Sequence, residues 1–443
     1  MINLLKKLYP LHRTLASDDT DKAYVIIKNE IPKQFNPTIH EYQPNSKVWY
    51  WKVPKRYKVN HAILKDEDGY VYADFSKNPL YLWSYSVSTK KTITFEELEF
   101  HLYYSKTRLD AIAWRFKYYD KTWGFCVPYN IYKTMPRDKK YIVDIDVEFL
   151  DSPGFRVMDS LVDYGCEKEF VICTNICHPY QVNDSISGLV VAVELQKRFA
   201  LNPIKNPTHN INFLYCPETI GSITYLANNE NKIAKTTGGV FTEMVGHKAD
   251  DSFILQRSLQ KDSLSDMILE YVLKNQNKKY FLRNFQRWND EGIFNSYGVD
   301  IPMVFLMKGS CKYLETIDSN NYRCKTKFYK EYHTSDDNPD IISKEKLQET
   351  ADVLEEFIRI YCTNYIPIQK EKGIIFFSGL GMHTAIEDNR KISLQLEKLS
   401  YMLNGEFSVF DIANILDIDY WEIKCFIDKL FKKGAVEKCM IKK

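Results

Sequence analysis

The 443-residue sequence contains no run of roughly 18 apolar residues, so no segment offers itself as a bilayer-spanning helix. It also lacks a surplus of one charge. Sixty Lys and Arg stand against 58 Asp and Glu, a formal net charge of +2. No overall field gathers nucleic acid or an anionic membrane, and any such partner needs a local patch. A disulfide framework is missing as well: the ten cysteines are scattered, and Cys173, Cys216, Cys362 and Cys425 fall inside apolar runs, where a reduced thiol packs as a small hydrophobe. Cys173, Cys177 and His178 lie close together, yet no second Cys pair stands at the spacing of a closed structural zinc site. The first residues break into Lys6-Lys7 and Pro10 before reaching signal-peptide length. These absences predict a soluble, cytoplasmic protein with free thiols and no membrane partner.

What is present is enough chain for about two or three domains. Leu4, Leu5, Leu8 and Leu11 recur at helical spacing, and residues 1–45 read as a helical lead-in. From Val48 to about Leu150 short alternating apolar runs are split by turns, as in Val48-Trp49-Tyr50-Trp51-Lys52-Val53-Pro54, Ala62-Ile63-Leu64, Tyr70-Val71-Tyr72 and Tyr141-Ile142-Val143. This is a β-rich domain, 46–149. From Phe170 onward strand and helix alternate. Strands are predicted at Phe170–Cys173, Ile211–Cys216, Gly239–Val245 and Ile301–Leu306. Helices are predicted at Gly188–Phe199, Ser222–Ile233, Leu264–Leu273 and Lys344–Tyr361. Such alternation indicates an α/β sandwich on a partly parallel sheet. The tail reads as three short amphipathic helices and a terminal hairpin, a winged helix-turn-helix-like domain at 385–443. From 391 onward it holds nine Lys against eight Asp or Glu, a balance that favours docking or self-association over DNA binding.

Ligands in α/β sheets bind just past the C-terminal ends of strands, and four strand exits here carry metal-type or acid–base side chains. His178 and then Asp184 follow the first strand, Glu218 the second and Glu243 the third, while His333 and Asp337 stand after the fourth. Two imidazoles with several carboxylates form the nitrogen and oxygen donor set that suits Zn²⁺, and a further carboxylate is needed to move the proton of an attacking water. Taken singly, Asp184 reads as a helix cap, Glu218 as a loop acid and His333 as a surface histidine. Together, at successive strand exits, they read as a site.

Asn183-Asp184-Ser185-Ile186-Ser187-Gly188, Pro217-Glu218-Thr219-Ile220-Gly221, Glu243-Met244-Val245-Gly246 and His333-Thr334-Ser335-Asp336-Asp337 occur in the order and approximate spacing of the co-catalytic zinc aminopeptidases. With Trp49–Pro54, Trp123-Gly124-Phe125-Cys126 and Cys177-His178-Pro179, nearly the whole chain resembles a bacterial aminopeptidase-like family often associated with polysaccharide biosynthesis. The resemblance implies a three-layer α/β sandwich at 1–45 and 150–370 with a mixed sheet, an inserted β-rich domain and a C-terminal winged helix. It also implies one or two Zn²⁺ ions and a peptide or amide substrate. Carried over by position, His178, Asp184, Glu243 and His333 are metal ligands, Glu218 is the general base, Asp337 supports the metal site, and Asp290 and Glu291 belong to a loop beside the substrate. Three positions depart from the pattern. Thr219 stands where a second acid is expected, Tyr180 where an aspartate orients the first histidine, and Glu243 where the ligand is an aspartate. One ion instead of two fits these departures, as does Glu218 acting as both base and ligand.

Two readings therefore stand: a zinc-dependent hydrolase, or a binding or assembly protein that keeps the fold without the chemistry. An amide hydrolase acting on a glycan precursor follows from the resemblance alone. Self-association through the β-rich or winged-helix domain is a further expectation.

Overall fold

The segments Lys168–Asn175, His209–Cys216 and Thr236–Thr242 bury almost every residue, odd and even alike. A strand buried on both faces needs a layer of structure on each side, which is why these read as unbroken apolar runs. In the computed structural model, which describes residues 1–287, 289–309, 329–382 and 390–439, they lie in an eight-stranded mixed sheet. Its strands are β1 (Thr38–Tyr42), β2 (Phe155–Val162), β3 (Lys168–Asn175), β4 (His209–Cys216), β5 (Thr236–Thr242), β6 (Ser252–Gln256), β7 (Tyr280–Arg283) and β8 (Met303–Gly309). The order across the sheet is β1-β2-β4-β3-β5-β8-β6-β7. β3, β5 and β8 run parallel, as do β6 and β7, whereas β1 with β2, β2 with β4 and β6 with β8 are antiparallel. The expected α/β fold with a partly parallel sheet is present.

Helix Ile186–Leu201 packs tightly on this sheet. At Gly188 an added Cβ would stand 2.0 Å from the Thr242 carbonyl oxygen, so only glycine lets the helix start this close to the end of β5. The single helix expected over Ser222–Ile233 is two, Ile220–Ala227 and Glu230–Lys235. Asn228 and Asn229 break it, because their side-chain amides bond back to the carbonyls of Thr224 and Tyr225 and compete with the helix ladder.

The chain divides into two compact units. The first holds the main sheet and the β-rich segment. Val71–Asp74, Arg56–Asp66, Lys140–Leu150 and Thr89–Thr94 form a four-stranded antiparallel sheet in that order. The run Val48–Pro54 takes part in a small hairpin, Lys47–Val48 against Trp51–Lys52. Within this unit the segment Ile112–Trp114 joins the residues after His333: Trp114 N–H donates to the His333 carbonyl at 2.8 Å and Ser335 N–H to the Ile112 carbonyl at 2.8 Å.

The second unit comprises Tyr164–Lys168, Ile204–Asn210 and Glu355–Lys443. Its described tail contains the helices Arg390–Met402, Val409–Leu416 and Tyr420–Lys432, the middle one opened by a Ser408/Asp411 capping box. Strand Val436–Cys439 pairs antiparallel with Ile366–Gln369. Residues 385–389 and 440–443 of the expected winged-helix-like domain lie outside the described residues.

Buried His209 in this unit packs edge-on against Tyr361, with Nδ1 2.8 Å from Thr208 Oγ1. Burial, reinforced by Lys168, lowers it to about 4. Between its unfolded value near 6.5 and 4, the unfolded chain binds a proton that the folded chain refuses. His209 therefore contributes stability above pH 6.5 that is lost as pH falls towards 4, at most about 3 kcal/mol. Chemical-denaturation curves across that range are expected to be less pH-dependent in His209→Gln. An unchanged slope would contradict the assignment.

Candidate metal and active site

The loop after β3 carries His178 and Asp184, and a buried arginine from the N-terminal segment shapes it. Arg13 donates to the carbonyls of Ile176 (2.6 Å), Cys177 (2.9 Å), His178 (2.8 Å) and Gln181 (2.9 Å). Buried carbonyls turned away from a β ladder need such donors. From the other side Asp337 accepts the backbone N–H groups of Val182 (3.2 Å), Asn183 (2.8 Å) and Asp184 (3.1 Å), and the Tyr329 hydroxyl (2.6 Å). Burial pushes Asp337 up to about 7 against these hydrogen bonds. Left-handed backbone recurs around the site, at His178 (φ 75°), Thr219 (φ 62°) and His333 (φ 55°). For a β-branched residue such as Thr219 this is an outlier, and strain of this kind concentrates where function requires a particular geometry.

The two histidines and Asp184 meet. His333 Nε2 lies 2.9 Å from Asp184 Oδ2, and His178 Nδ1 lies 3.8 Å from Asp184 Oδ1. His178, Asp184 and His333 each bring a ligand atom within 4.8 Å of the others. On the second strand exit, Glu218 Oε2 stands 3.4 Å from His178 Nε2. Cys177 Sγ is 3.5 Å from His178 Nδ1 and accepts the Glu218 N–H at 3.2 Å, so a thiol shares that ring edge with Asp184. Tyr180, at the sequence position where an aspartate was expected, packs instead against Tyr9. Trp114 stands over the pair, with ring centroids 4.5 Å from His178 and 4.8 Å from His333.

Glu243, Asp290 and Glu291 are buried behind this cluster. Glu243 accepts from Asn289 Nδ2 at 2.7 Å and Asn175 Nδ2 at 3.4 Å, and it is absent from the ligand groups found among the described residues. Asp290 accepts the Thr219 N–H and the Ser222 hydroxyl, while Glu291 accepts from Gln256 Nε2 at 3.0 Å. The two loop acids thus brace the Glu218 turn and the end of β6. Cys173, Cys216 and Asp290 form a further buried group, with the two sulfurs 3.8 Å apart.

The electrostatics fit a cation. Burial lowers His178 to about 4, more than Asp184 raises it, so its ring is neutral and a lone pair is available. Burial also pushes Glu218 and Glu243 well above the ordinary carboxylate range, and Asp184 and the neighbouring acids add to the push. Buried acids that repel one another beside neutral imidazoles are relieved by a divalent ion, and nitrogen with oxygen donors suits zinc.

A family model described as a domain of unknown function, DUF4910, matches residues 2–364. The chain belongs to the DUF4910 family. A curated relative from Clostridium acetobutylicum, named as a polysaccharide biosynthesis protein with an aminopeptidase-like domain, is 29% identical over 440 residues, covering 97% of this chain and 94% of that protein. A crystal structure of a protein described as a peptidase from C. acetobutylicum is 27% identical with a TM-score of 0.82, covering 99% of this DUF4910 chain and 95% of that one. The zinc aminopeptidase BSAP of Bacillus subtilis shares the fold at 12% identity, with a TM-score of 0.60 over 82% of this chain and 94% of its own. The DUF4910 chain is therefore aminopeptidase-like in fold. Among its described residues no helix is long and apolar enough to cross a membrane.

Arg13, Trp114, Asn175 and Asn289 were not legible as site residues. Arg13 lies 163 residues from Ile176 in sequence, and Trp114 is one aromatic among many in a segment without regular periodicity.

Proposed function

We propose that the protein is a zinc-dependent, aminopeptidase-like hydrolase that cleaves a peptide or amide bond with Glu218 as general base. The observation that supports this most directly is the convergence of His178, Asp184 and His333 with Glu218 3.4 Å from the His178 ring. His178, Asp184 and His333 would hold the ion. Thr219 supplies no second acid and Glu243 is engaged by two amides, which favours one ion over two. Zinc bound there would polarise a substrate carbonyl and acidify a water. Glu218, with 29% of its side chain accessible, accepts the water's proton and returns it to the departing amine nitrogen. Trp114 packs edge-on with both imidazoles and Tyr332 stacks on His333 at 3.8 Å, so the two rings restrict the imidazole planes. Cys177 and Asp337 hold the His178 ring and the Asp184 backbone in register. Free thiols at eight described cysteines support a cytoplasmic location, and the curated relative's name supports a substrate from polysaccharide biosynthesis.

Elemental analysis of the purified protein is expected to give about one zinc per chain. Chelation should remove both the metal and the hydrolysis of aminoacyl amides, and added zinc should restore them. Full activity after complete metal removal would overturn the proposal, and two tightly held ions would overturn the single-ion assignment.

A further inference from the structure

Beside Arg287 and residues 292–299 lies a cavity of about 910 Å³ that the hydrolytic chemistry leaves unused. The Lys47–Lys52 hairpin lines its other side. Register pairs Val48 with Trp51, so Trp49 and Tyr50 make up the turn. Trp49 sits at φ 52°, a conformation that Gly or Asn adopts far more readily at a hairpin turn. Tyr50 is fully exposed at 101%, and so is Tyr297 across the cavity at 102%. Bare rings on a strained turn add nothing to packing, so a ligand is the better account of them. A second cavity of about 450 Å³ shares Lys47, Tyr50 and Trp51 and adds Lys52 and Tyr119, the latter edge-on to Trp51 at 6.4 Å. Tyr50 and Trp51 thus stand between two cavities, as a ligand of several linked units requires.

Charge narrows the class. Lys47, Lys52 and Arg287 form no ion pair within 4 Å among the described residues, and Glu230 is the one acid lining either cavity. Arg287 stands 6.0 Å from the Trp51 ring. Its stem lies over Gly292, where an added Cβ would be 2.6 Å from Arg287 Cγ, so the glycine keeps the guanidinium beside the Glu291 turn. Asp290, two residues before the lining Gly292, accepts the Thr219 N–H next to Glu218, which ties this cavity to the hydrolytic centre. Pyranose rings present C–H faces that stack on Tyr and Trp, and a guanidinium meets a sugar carboxylate through charge-assisted hydrogen bonds. A nucleic-acid strand needs a longer track of cations.

We infer that these cavities bind an acidic oligosaccharide, its rings stacked on Tyr50, Trp51 and Tyr297 and its carboxylates met by Arg287 and Lys47. The inference rests on the proposed hydrolase only in making this sugar chain part of that enzyme's substrate.

Calorimetric titration of the full chain with trigalacturonate, maltotriose and an acidic tripeptide tests it. Trigalacturonate is expected to bind at least about tenfold more tightly than the other two, and Tyr50→Ala, Tyr297→Ala and Arg287→Gln should each weaken it about tenfold. Tyr50 and Tyr297 are wholly exposed, so these variants keep the fold. Absence of trigalacturonate binding at about 10 mM, or binding indifferent to both Tyr substitutions, or preference for the tripeptide would overturn the inference. Glu218→Gln protein should bind trigalacturonate as wild type does. Saccharide binding without any hydrolysis would leave the inference standing and remove the hydrolase; amide hydrolysis without saccharide binding would do the reverse.

Discussion

Glu218→Gln is expected to lower kcat for aminoacyl-amide hydrolysis by about 10²–10⁴-fold while zinc content and thermal stability remain at the wild-type level. Glutamine matches glutamate in shape but cannot accept a proton. The backbone N–H of residue 218 still reaches Cys177 Sγ, so the turn keeps its anchor. Replacing a carboxylate that burial and the neighbouring Asp184, Asp290 and Glu291 already disfavour removes repulsion, so folding does not suffer. The effect should fall on kcat with KM little changed, since the proton moves only in the transition state. Wild-type kcat in Glu218→Gln would remove the mechanism, and loss of zinc in the same variant would make Glu218 a ligand.

Arg13→Met is expected to destabilise the protein by about 3–5 kcal/mol, the range for stranding buried polar groups that depended on one charged partner. Five carbonyls lose a charged donor at once: Leu8, Ile176, Cys177, His178 and Gln181, of which Leu8 keeps the Leu11 N–H and Cys177 the Ser185 hydroxyl. Burial lowers Arg13 only to about 10, so it is charged at neutral pH and each hydrogen bond is charge-assisted. The loop it fixes holds His178 and Asp184. In the fraction that still folds, kcat should drop by about 10²-fold, the usual result of misplacing a reacting group by an ångström or so. Thermal unfolding and zinc titration check both parts. A variant of wild-type stability would show that the carbonyls find other donors.

Much of this was legible in the sequence. β3, β4, β5 and β8 are apolar runs of strand length, and the acids and imidazoles just beyond them stand out because such groups are costly beside a core. His178, Asp184, Glu218 and His333 come together as their order suggested. β2 was less visible, since Arg156, Asp159 and Ser160 interrupt its apolar residues; Asp159 is satisfied only by distant His40, Lys232 and Tyr225. Asp290 and Glu291 were expected in a loop beside the substrate; both are buried, and their bonds to Ser222, Thr219 and Gln256 join segments that no local pattern links.

The sequence by itself determined the balanced charge, the strand–helix alternation and the chemical nature of the donor set, because each depends on residue type and short-range spacing. Tertiary structure decided which donors share a pocket, that the Cys177 thiol joins Asp184 at the Nδ1 edge of the His178 ring, and that Arg13 holds the loop. These depend on a sheet whose spatial order differs from its chain order, and strand pairing between distant segments is set by the burial of the whole core rather than by any local run of residues.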